Sequence, residues 1–317
     1  MPEDDLPRRI ILSRKGVDDA AGGFASPILN GNRLFTIPIP DCGTGITYAD
    51  LRFADGSSGV NKLVSDLSAN ENLAVSEVHL DPDLRASSVT RSAFHPAFGQ
   101  CGSEQTHLEN RGVKEEPGQQ INDLFLFFGY FRPAKFNRDK GRWEYVGSCK
   151  LHVIHAWLQL GKIHRVNAPD PAWCRHPHGI PSFLVAADQQ RRSQAKQNNT
   201  IYTPRRHLTF LPDVPGHGTF TSFDCHDSGH SLRLTDPGSK QRSTWKLPMF
   251  FYKKLSHIGE KATWERRGQH CRLTRRGYGQ EFVFEVPQSG QDRAKVLNWL
   301  ISLPFATTAV SACGLVS

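Results

Sequence analysis

The stretches DLFLFFGYF (residues 123–131) and LHVIHAWLQLGKIHRV (151–166) decide the fold. Both are apolar on each of the two alternating faces of an extended chain, which is typical of strands inside a sheet. Gly161 predicts a bulge or bend. The polar residues 132–150 between the two strands contain a D-K-G turn and predict a hairpin-like excursion. The apolar run at 124–131 is far shorter than the roughly 20 residues of a membrane span.

The segments around this pair predict further strands and three helices. The strands are expected at 8–13, 33–39, 182–187, 199–203, 231–235 and 280–286. The helices are expected at 59–69, at 103–113 with Ser103 as N-cap and Gly112 at the end, and at 291–303 before Pro304. We therefore expect a β-rich α+β protein, with a large central mixed sheet or partly closed barrel and flanking helices. Residues 1–317 are expected to form one domain, with a solvated loop at 188–199 and a flexible tail at 305–317.

Charge is distributed unevenly along the chain. Residues 1–124 carry a balance of −7 and residues 125–317 a balance of +15, and the stretch 240–276 has eleven basic residues against two glutamates. A lobe this positive favours a polyanion such as nucleic acid, although a merely solvated basic face is the alternative. The seven cysteines form no C-x-x-C pair, and the N-terminus has no apolar signal core. Both features predict a reduced, cytoplasmic protein.

The segment IILSRKGVDDAAGGFASPILNG (10–31) changes abruptly from an apolar strand to a polar, glycine-rich loop. Glycines allow a close approach of the backbone to a ligand, and adjacent amides can hold an anion. Arg14 and Lys15 are predicted to clamp a phosphate, and Asp18 to orient a hydroxyl or a base edge. The alternative is a sharp surface turn with solvated charges. The segment matches neither a Walker loop nor a dinucleotide fingerprint.

Acids and histidines cluster in three further segments. In HLDPDLRASSVTRSAFHPAFGQCG (79–102), Asp81 and Asp83 form either a pair that binds a metal or acts in acid–base chemistry or, as the sequence favours, an Asx-turn. In CRHPHG (174–179) and CHDSGH (225–230) the histidines lie close together, but no pair has the spacing of a zinc module. We therefore assign no metal ligands from the sequence, while the presence of a bound metal stays open. It contains no G-x-S-x-G elbow, no H-E-x-x-H motif and no deaminase pattern.

Aromatic and basic residues alternate through 239–282. Cations can neutralise phosphates and aromatic rings can stack on exposed bases, although some of the rings must belong to the core. The predicted DNA-binding residues are Arg205, Arg206, Trp245, Lys246, Arg266, Arg267, Arg275 and Arg276.

An ordered series of segments resembles one known family, the third of the nucleotide modification associated domain families. The series covers about residues 10–286 and consists of SRKGVDDAAGGFASPI, IPIPD, HLDPDLR, AFGQCG, HLENRGV, DLFLFFGYFR, HVIHAWLQLG, HPHG, LRLTDPGSKQRSTWKLP and GQEFVF. Each motif is weak alone, whereas their order is specific. The sequence departs from the family in QLGKIHRV and in a basic insert, DQQRRSQAKQNN. The family's polar motifs match 13–27, 99–108, 176–179, 242–248 and 280–281.

The resemblance implies a bacterial or phage protein linked to hypermodification of DNA bases, without implying a reaction. An enzyme that transfers a group to a base, or tailors a modified base, would act on single-stranded DNA or a flipped base. The catalytic candidates are Asp18, His107 and Glu281. The nucleotide- or phosphate-binding candidates are Ser13, Arg14, Lys15, Gly16, Ser26, Gln100, His176, His178, Arg242 and Gln280. A non-catalytic reader of a modified base is the alternative. The cofactor and the oligomeric state stay open.

Overall fold

The computed structural model describes residues 5–91, 94–117, 121–166, 171–173, 175–179, 198–258, 262–275 and 279–305. The expected strand at 182–187, most of the expected loop at 188–199, nearly all of the expected tail and Arg276 lie outside these residues. Within the described part, no helix is both long and apolar enough to span a membrane.

Sixteen strands and four α-helices form the described structure. The strands are β1 (Arg9–Arg14), β2 (Ser26–Leu29), β3 (Arg33–Leu34), β4 (Ile39–Asp41), β5 (Glu77–His79), β6 (Phe98–Gln100), β7 (Leu124–Asn137), β8 (Arg142–Tyr145), β9 (Leu151–Arg165), β10 (Thr200–Pro204), β11 (His217–Thr219), β12 (Thr244–Pro248), β13 (Leu255–Ser256), β14 (Thr263–Arg267), β15 (His270–Thr274) and β16 (Glu281–Glu285). The helices are α1 (Val60–Ser68), α2 (Glu71–Ala74), α3 (Gly102–Asn110) and α4 (Gly290–Ser302).

Eleven of the strands form one open, mixed sheet. Its main path runs β13-β16-β1-β7-β9-β10-β6. Of the other four strands, β2 and β8 pair with β7, β3 pairs with β2, and β11 pairs with β9. β7 pairs in parallel with β1 and β2, and its other pairings are antiparallel. Because β1 pairs with β16, the acidic first half and the basic second half of the chain share this sheet. The β-rich α+β fold with a large mixed sheet is confirmed.

The two apolar stretches that predict the fold form its centre. β7 and β9 pair antiparallel, and Phe125, Phe127, Ile154 and Leu158 are fully buried. Gly161 lies where the β9–β10 register shifts, so the predicted bulge is confirmed. A Cβ at Gly161 would approach the backbone of Pro204 to 2.8 Å, which explains the need for glycine there.

Two predicted strands are wrong. The stretch 33–39 forms only the two-residue β3 before β4 begins at Ile39, since Pro38 and Pro40 cannot donate to a ladder. The stretch 231–235 makes only isolated bridges, because the amide of Arg233 bonds in a turn to the carbonyl of His230. The helix predicted at 103–113 begins instead at Gly102, and its N-cap is Cys101 rather than Ser103.

Candidate functional site

Glu281 occupies the centre of a buried group of polar side chains. It begins β16 directly opposite Ser13 of β1, and paired antiparallel residues point to the same face. The Ser13 hydroxyl donates to Glu281 Oε1 at 2.9 Å, and Gln100 Nε2 donates to the same oxygen at 2.6 Å. Glu281 is fully buried, and its Oε2 has no hydrogen-bond partner among the described residues.

Lys15 connects Glu281 to a second buried carboxylate. Its Nζ lies 4.0 Å from Glu281 Oε1, 3.7 Å from Asp81 Oδ2 and 4.3 Å from the centre of the Phe98 ring. The amide of Gly99 donates to Asp81 Oδ1 at 2.7 Å. We call Ser13, Lys15, Asp81, Gln100 and Glu281 the buried polar cluster. The Lys15 ammonium group thus lies between the carboxylates of Asp81 and Glu281, in a site with little solvent.

The two carboxyl groups differ in proton affinity. Burial raises the pKa of Glu281 to about 7, with help from nearby Glu104 and against the opposing effects of Lys15, Ser13 and Gln100. Burial also raises the pKa of Asp81, but Lys15 and the neighbouring histidines outweigh it and hold this pKa well below its usual value. Two carboxyl groups whose pKa values differ in this way are typical of acid–base sites. One group stays ionised while the other exchanges a proton near neutral pH.

Three histidines surround Asp81. The Nε2 atoms of His79 and His178 each lie 4.0 Å from Asp81 Oδ2, and His176 Nε2 lies 3.5 Å from Asp81 Oδ1. Burial lowers the pKa of His178 to about 3, so its ring is neutral at pH 7. A Cβ at Gly99 would meet the His178 ring at 2.3 Å, which explains the glycine at this position.

A cavity of about 90 Å³ borders the buried polar cluster at Asp81. Its polar lining includes Arg85 and His155, and its apolar lining includes Phe35 and Phe220. His155 Nε2 has no hydrogen-bond partner among the described residues, and burial lowers the pKa of His155 to about 3. The cavity therefore combines apolar walls with a neutral imidazole that can bind a polar group.

Arg14 and Lys15 do not form a joint clamp, contrary to the sequence prediction. Successive side chains at the end of β1 point to opposite faces. Lys15 enters the buried polar cluster, whereas Arg14 pairs with Asp18 at 3.2 Å and lies near Arg242 and Arg275. We call these three guanidinium groups the arginine group. Burial is the main cause that lowers the pKa of the enclosed His152, and the positive charge of the arginine group adds to it. The arginine group is thus a separate candidate for binding an anion.

Four other predicted site residues support local structure. Asp18 Oδ1 accepts from the amides of Ala20 and Ala21. Ser26 Oγ accepts from the amide of Ile37, and Gly16 has a φ of 85° that favours glycine. The exposed Gln280 joins the strand ends through its backbone, which accepts from the amide of Arg14.

His107 is the remaining catalytic candidate. It lies on α3, with Nε2 3.3 Å from the carbonyl oxygen of Ser256, and the structure places no contact between it and Glu281 among the described residues.

Four of the predicted DNA-binding residues, Trp245, Lys246, Arg266 and Arg267, divide between the two faces of the three-stranded sheet β12-β15-β14. The register places Lys246, Arg272 and Glu265 in one row, and His270 and Arg267 in another row of the same face. Lys246 and Arg267 are exposed. We call this the basic sheet face. Arg266 belongs to the opposite face, with its guanidinium 4.8 Å from the Tyr252 ring.

Three further DNA candidates lie elsewhere. Arg205 donates to the carbonyl of Ile121, and Arg206 is exposed. Arg275 lies 4.0 Å over the Phe282 ring.

Trp245 belongs to the core, so its prediction as a base-stacking residue needs correction. Its side chain is fully buried, and Nε1 donates to His152 Nδ1 at 3.0 Å. The ring packs edge-on against Phe128. Sheet alternation explains the difference: the neighbouring Lys246 points outward, and Trp245 must therefore point inward.

Trp245→Phe is expected to destabilise the protein by about 1–3 kcal/mol, because it leaves buried His152 without its donor and removes packed volume. DNA affinity should not change. Urea unfolding and a DNA titration measure the two effects, and Trp264→Phe, at a half-buried position, is the matched control. A loss of DNA affinity without a loss of stability would contradict this core assignment.

Asp81, His79 and Glu104 are part of the site although the sequence did not single them out as site residues. Both carboxylate oxygens of Glu104 accept backbone amides, from Gln280 at 3.1 Å and from Glu281 at 3.3 Å. Asp83, which shares the D-P-D motif with Asp81, pairs instead with Arg91. The many acidic residues and histidines in 79–102 could have indicated Asp81 and His79 as site residues. The interpretation of D-P-D as a turn led away from this conclusion.

This geometry describes an α+β protein with an ionisable site buried beside an open mixed sheet. The model of the family nucleotide modification associated domain 3 matches residues 9–285, and the chain belongs to this family. It is therefore a protein associated with nucleotide modification. No curated protein and no solved structure gives a significant match to the chain.

Proposed function

We propose that the protein is an enzyme that modifies a base in DNA, either by transferring a group to the base or by tailoring an already modified base. The observation that carries this proposal is the fully buried carboxyl of Glu281, whose Oε2 has no hydrogen-bond partner among the described residues and whose Oε1 lies 4.0 Å from Lys15 Nζ. Burial raises the pKa of this carboxyl to about 7. A general base or acid works best when its pKa lies near the operating pH. A module that only reads a base needs stacking rings and amides, and has no use for such a group.

Glu281 is the proton acceptor in this proposal. Ser13 and Gln100 fix the position of Oε1, which leaves Oε2 to take a proton from the substrate. Lys15 stabilises negative charge that develops on the reacting base or on the group being transferred. The cavity at Asp81 is the candidate location for the reacting group, since Asp81 lines this cavity and also contacts Lys15.

The DNA strand would lie on the basic sheet face, with phosphates also contacting the arginine group. Both surfaces offer guanidinium groups, which bind phosphate oxygens in pairs. The target base must be unpaired or flipped out of the stack, because its reactive atoms are otherwise covered. We propose that the protein acts on DNA in the cytoplasm of a bacterium or of a phage-infected cell.

Replacing both Lys246 and Arg267 by Ser is expected to weaken the binding of single-stranded DNA. It should also reduce the slope of the logarithm of the binding constant against the logarithm of the salt concentration. Each lost phosphate contact lowers that slope by roughly 0.7 for a single strand. Fluorescence anisotropy between low and moderate salt measures both quantities. The control is Lys62→Ser with Lys114→Ser, which removes the same charge from the acidic half of the chain. An equal effect of both double variants would show that only net charge matters.

The enzyme and the reader are separated by mass spectrometry of nucleosides from the DNA of cells with and without the protein. The enzyme proposal predicts that one nucleoside changes in abundance only when the protein is present. If the purified protein binds modified DNA while the nucleoside composition stays the same in both cells, the reader interpretation replaces it.

A further inference from the structure

Two histidines beside Asp81 are held in the tautomer that ligates a metal. His79 Nδ1 lies 2.8 Å from Asp41 Oδ2, and a carboxylate at this position makes Nδ1 the donor. His178 Nδ1 lies 2.8 Å from Asn199 Oδ1. The Asn199 amide group donates to the carbonyls of Val166 and His178, which fixes its oxygen toward the ring. With the Nδ1 atom of each ring as the donor, the neutral tautomer of either ring has its lone pair on Nε2.

Both Nε2 atoms face the same carboxylate oxygen. Each lies 4.0 Å from Asp81 Oδ2, and one ligand atom from each of these three residues lies within 4.8 Å of the others. The other oxygen, Oδ1, accepts from the amide of Gly99 at 2.7 Å. His79 and His178 meet edge-on, with ring centres 5.1 Å apart. This is the arrangement of ligands around a common cation: inner atoms converge, and outer atoms are fixed by hydrogen bonds.

His176 supplies a second, independent indication. Its Nδ1 accepts from the amide of His178 at 3.2 Å, so in the neutral ring the proton is on Nε2. This buried Nε2 has no hydrogen-bond partner among the described residues, and it is directed at Asp81 Oδ1 from 3.5 Å. A ring in this position orients the carboxylate and can bind a water on the metal.

We propose that His79 Nε2, His178 Nε2 and Asp81 Oδ2 bind one divalent first-row transition-metal ion of the zinc or ferrous class. Two imidazoles with one carboxylate suit these ions and leave coordination positions open for water or substrate. Mg²⁺ and Ca²⁺ prefer oxygen ligands throughout. Sequence spacing did not reveal this set, because its members come from β5, the turn after β5 and the 175–179 segment, and no two of them are adjacent in the chain.

The charge of the surroundings allows such an ion. The Lys15 ammonium lies 3.7 Å from the same Asp81 oxygen, but it is shared with Glu281 at 4.0 Å. Lys15, Asp81 and Glu281 together carry a net negative charge whenever Glu281 is ionised. A divalent ion at Asp81 would compensate this charge.

Metal content of the purified full-length protein tests the proposal without any nucleic acid. After treatment with a chelator and return to buffer, the protein is expected to bind about one equivalent of Zn²⁺, or of Fe²⁺ without oxygen, by calorimetry and elemental analysis. Mg²⁺ should not compete. Co²⁺ should give an absorption spectrum typical of nitrogen and oxygen ligands.

Variants separate ligation from folding. His178→Ala is expected to abolish stoichiometric binding. Asp41→Ala should weaken it about 10–100-fold, because Asp41 Oδ2 holds the outer nitrogen of His79. The other oxygen of this partly exposed carboxylate accepts from the amide of its neighbour Cys42. His226→Ala, at an exposed histidine in CHDSGH, is the control and should bind like the wild type. Circular dichroism checks each fold.

The proposal is overturned if the folded wild type binds well under one equivalent, or if Asp41→Ala binds as tightly as His226→Ala does. Neither result bears on Glu281, whose role the nucleoside comparison tests separately.

Discussion

Replacing Glu281 with Gln is expected to lower base modification by about 10²–10⁴-fold, the usual loss when a general base is removed. The amide has almost the same shape, and its oxygen still accepts from Ser13 and Gln100. Folding is therefore retained while the proton acceptor is lost. The modified nucleoside is measured by mass spectrometry at matched protein levels. Glu285→Gln is the control, since Glu285 lies on the same strand but is exposed.

The pH dependence provides a second readout of Glu281. The groups around its carboxyl are Lys15, Glu104, Tyr202, Ser13 and Gln100. A base must be ionised to act, so the wild-type rate is expected to rise with pH and to level off above about 7. The residual rate of Glu281→Gln should lack this rise. A wild-type rate that stays flat between pH 5 and 8 would show that another group is the base.

The contribution of Glu281 to the free energy of unfolding should fall as pH rises, whereas the rate should rise. Glu281 has a higher pKa in the folded state than its ordinary value of 4.5. Between these values the folded state binds more protons than the unfolded state, so the free energy of unfolding falls as pH rises. This component should be absent from Glu281→Gln.

Lys15→Met is expected to cause the largest loss of stability, about 3–5 kcal/mol at neutral pH, because it leaves a buried carboxylate without its cation. Met keeps most of the volume of the side chain and its contact with Phe98. Loss of the positive charge should also raise the pKa of Glu281 further. The pH at which activity levels off should therefore move upward in any folded variant. Urea unfolding measures the stability, with activity followed under native conditions.

Lys62→Met is the matched control for this effect. Lys62 pairs with Asp66 at 3.0 Å on the surface of α1, and exposed pairs contribute only about 0–1 kcal/mol. The double variant Lys15→Met/Glu281→Gln should be less destabilised than the sum of the single variants, since the two side chains interact directly. Equal losses for Lys15→Met and Lys62→Met would mean that the buried polar cluster is not held together by charge.

The sequence predicts the centre of the fold well because two strands buried on both faces leave a plain apolar pattern. β7, β9 and the bulge at Gly161 could be predicted from local residues alone. The concentration of basic residues in the second half of the chain could also be predicted. The face of the sheet to which each side chain points could not. Trp245 and Lys246 differ only by the alternation of a strand whose register depends on β15.

The candidate site was only partly predictable. Ser13, Lys15, Gln100 and Glu281 were singled out, and they do meet, but the bond between Ser13 and Glu281 joins residues 268 positions apart. Nothing local reveals that pairing. Arg14 was expected to act beside Lys15 because the two are adjacent, whereas strand geometry separates them. Asp81 was not chosen as a site residue because the D-P-D motif favoured an Asx-turn.

The pKa of Glu281 is the most direct test of the account, and carbonyl ¹³C NMR of protein labelled at glutamate can measure it. The resonance is identified by its absence in Glu281→Gln and followed against pH. We expect a midpoint near 7. A midpoint near the ordinary 4.5 would contradict it, because a carboxyl with that pKa is not a base matched to chemistry at neutral pH.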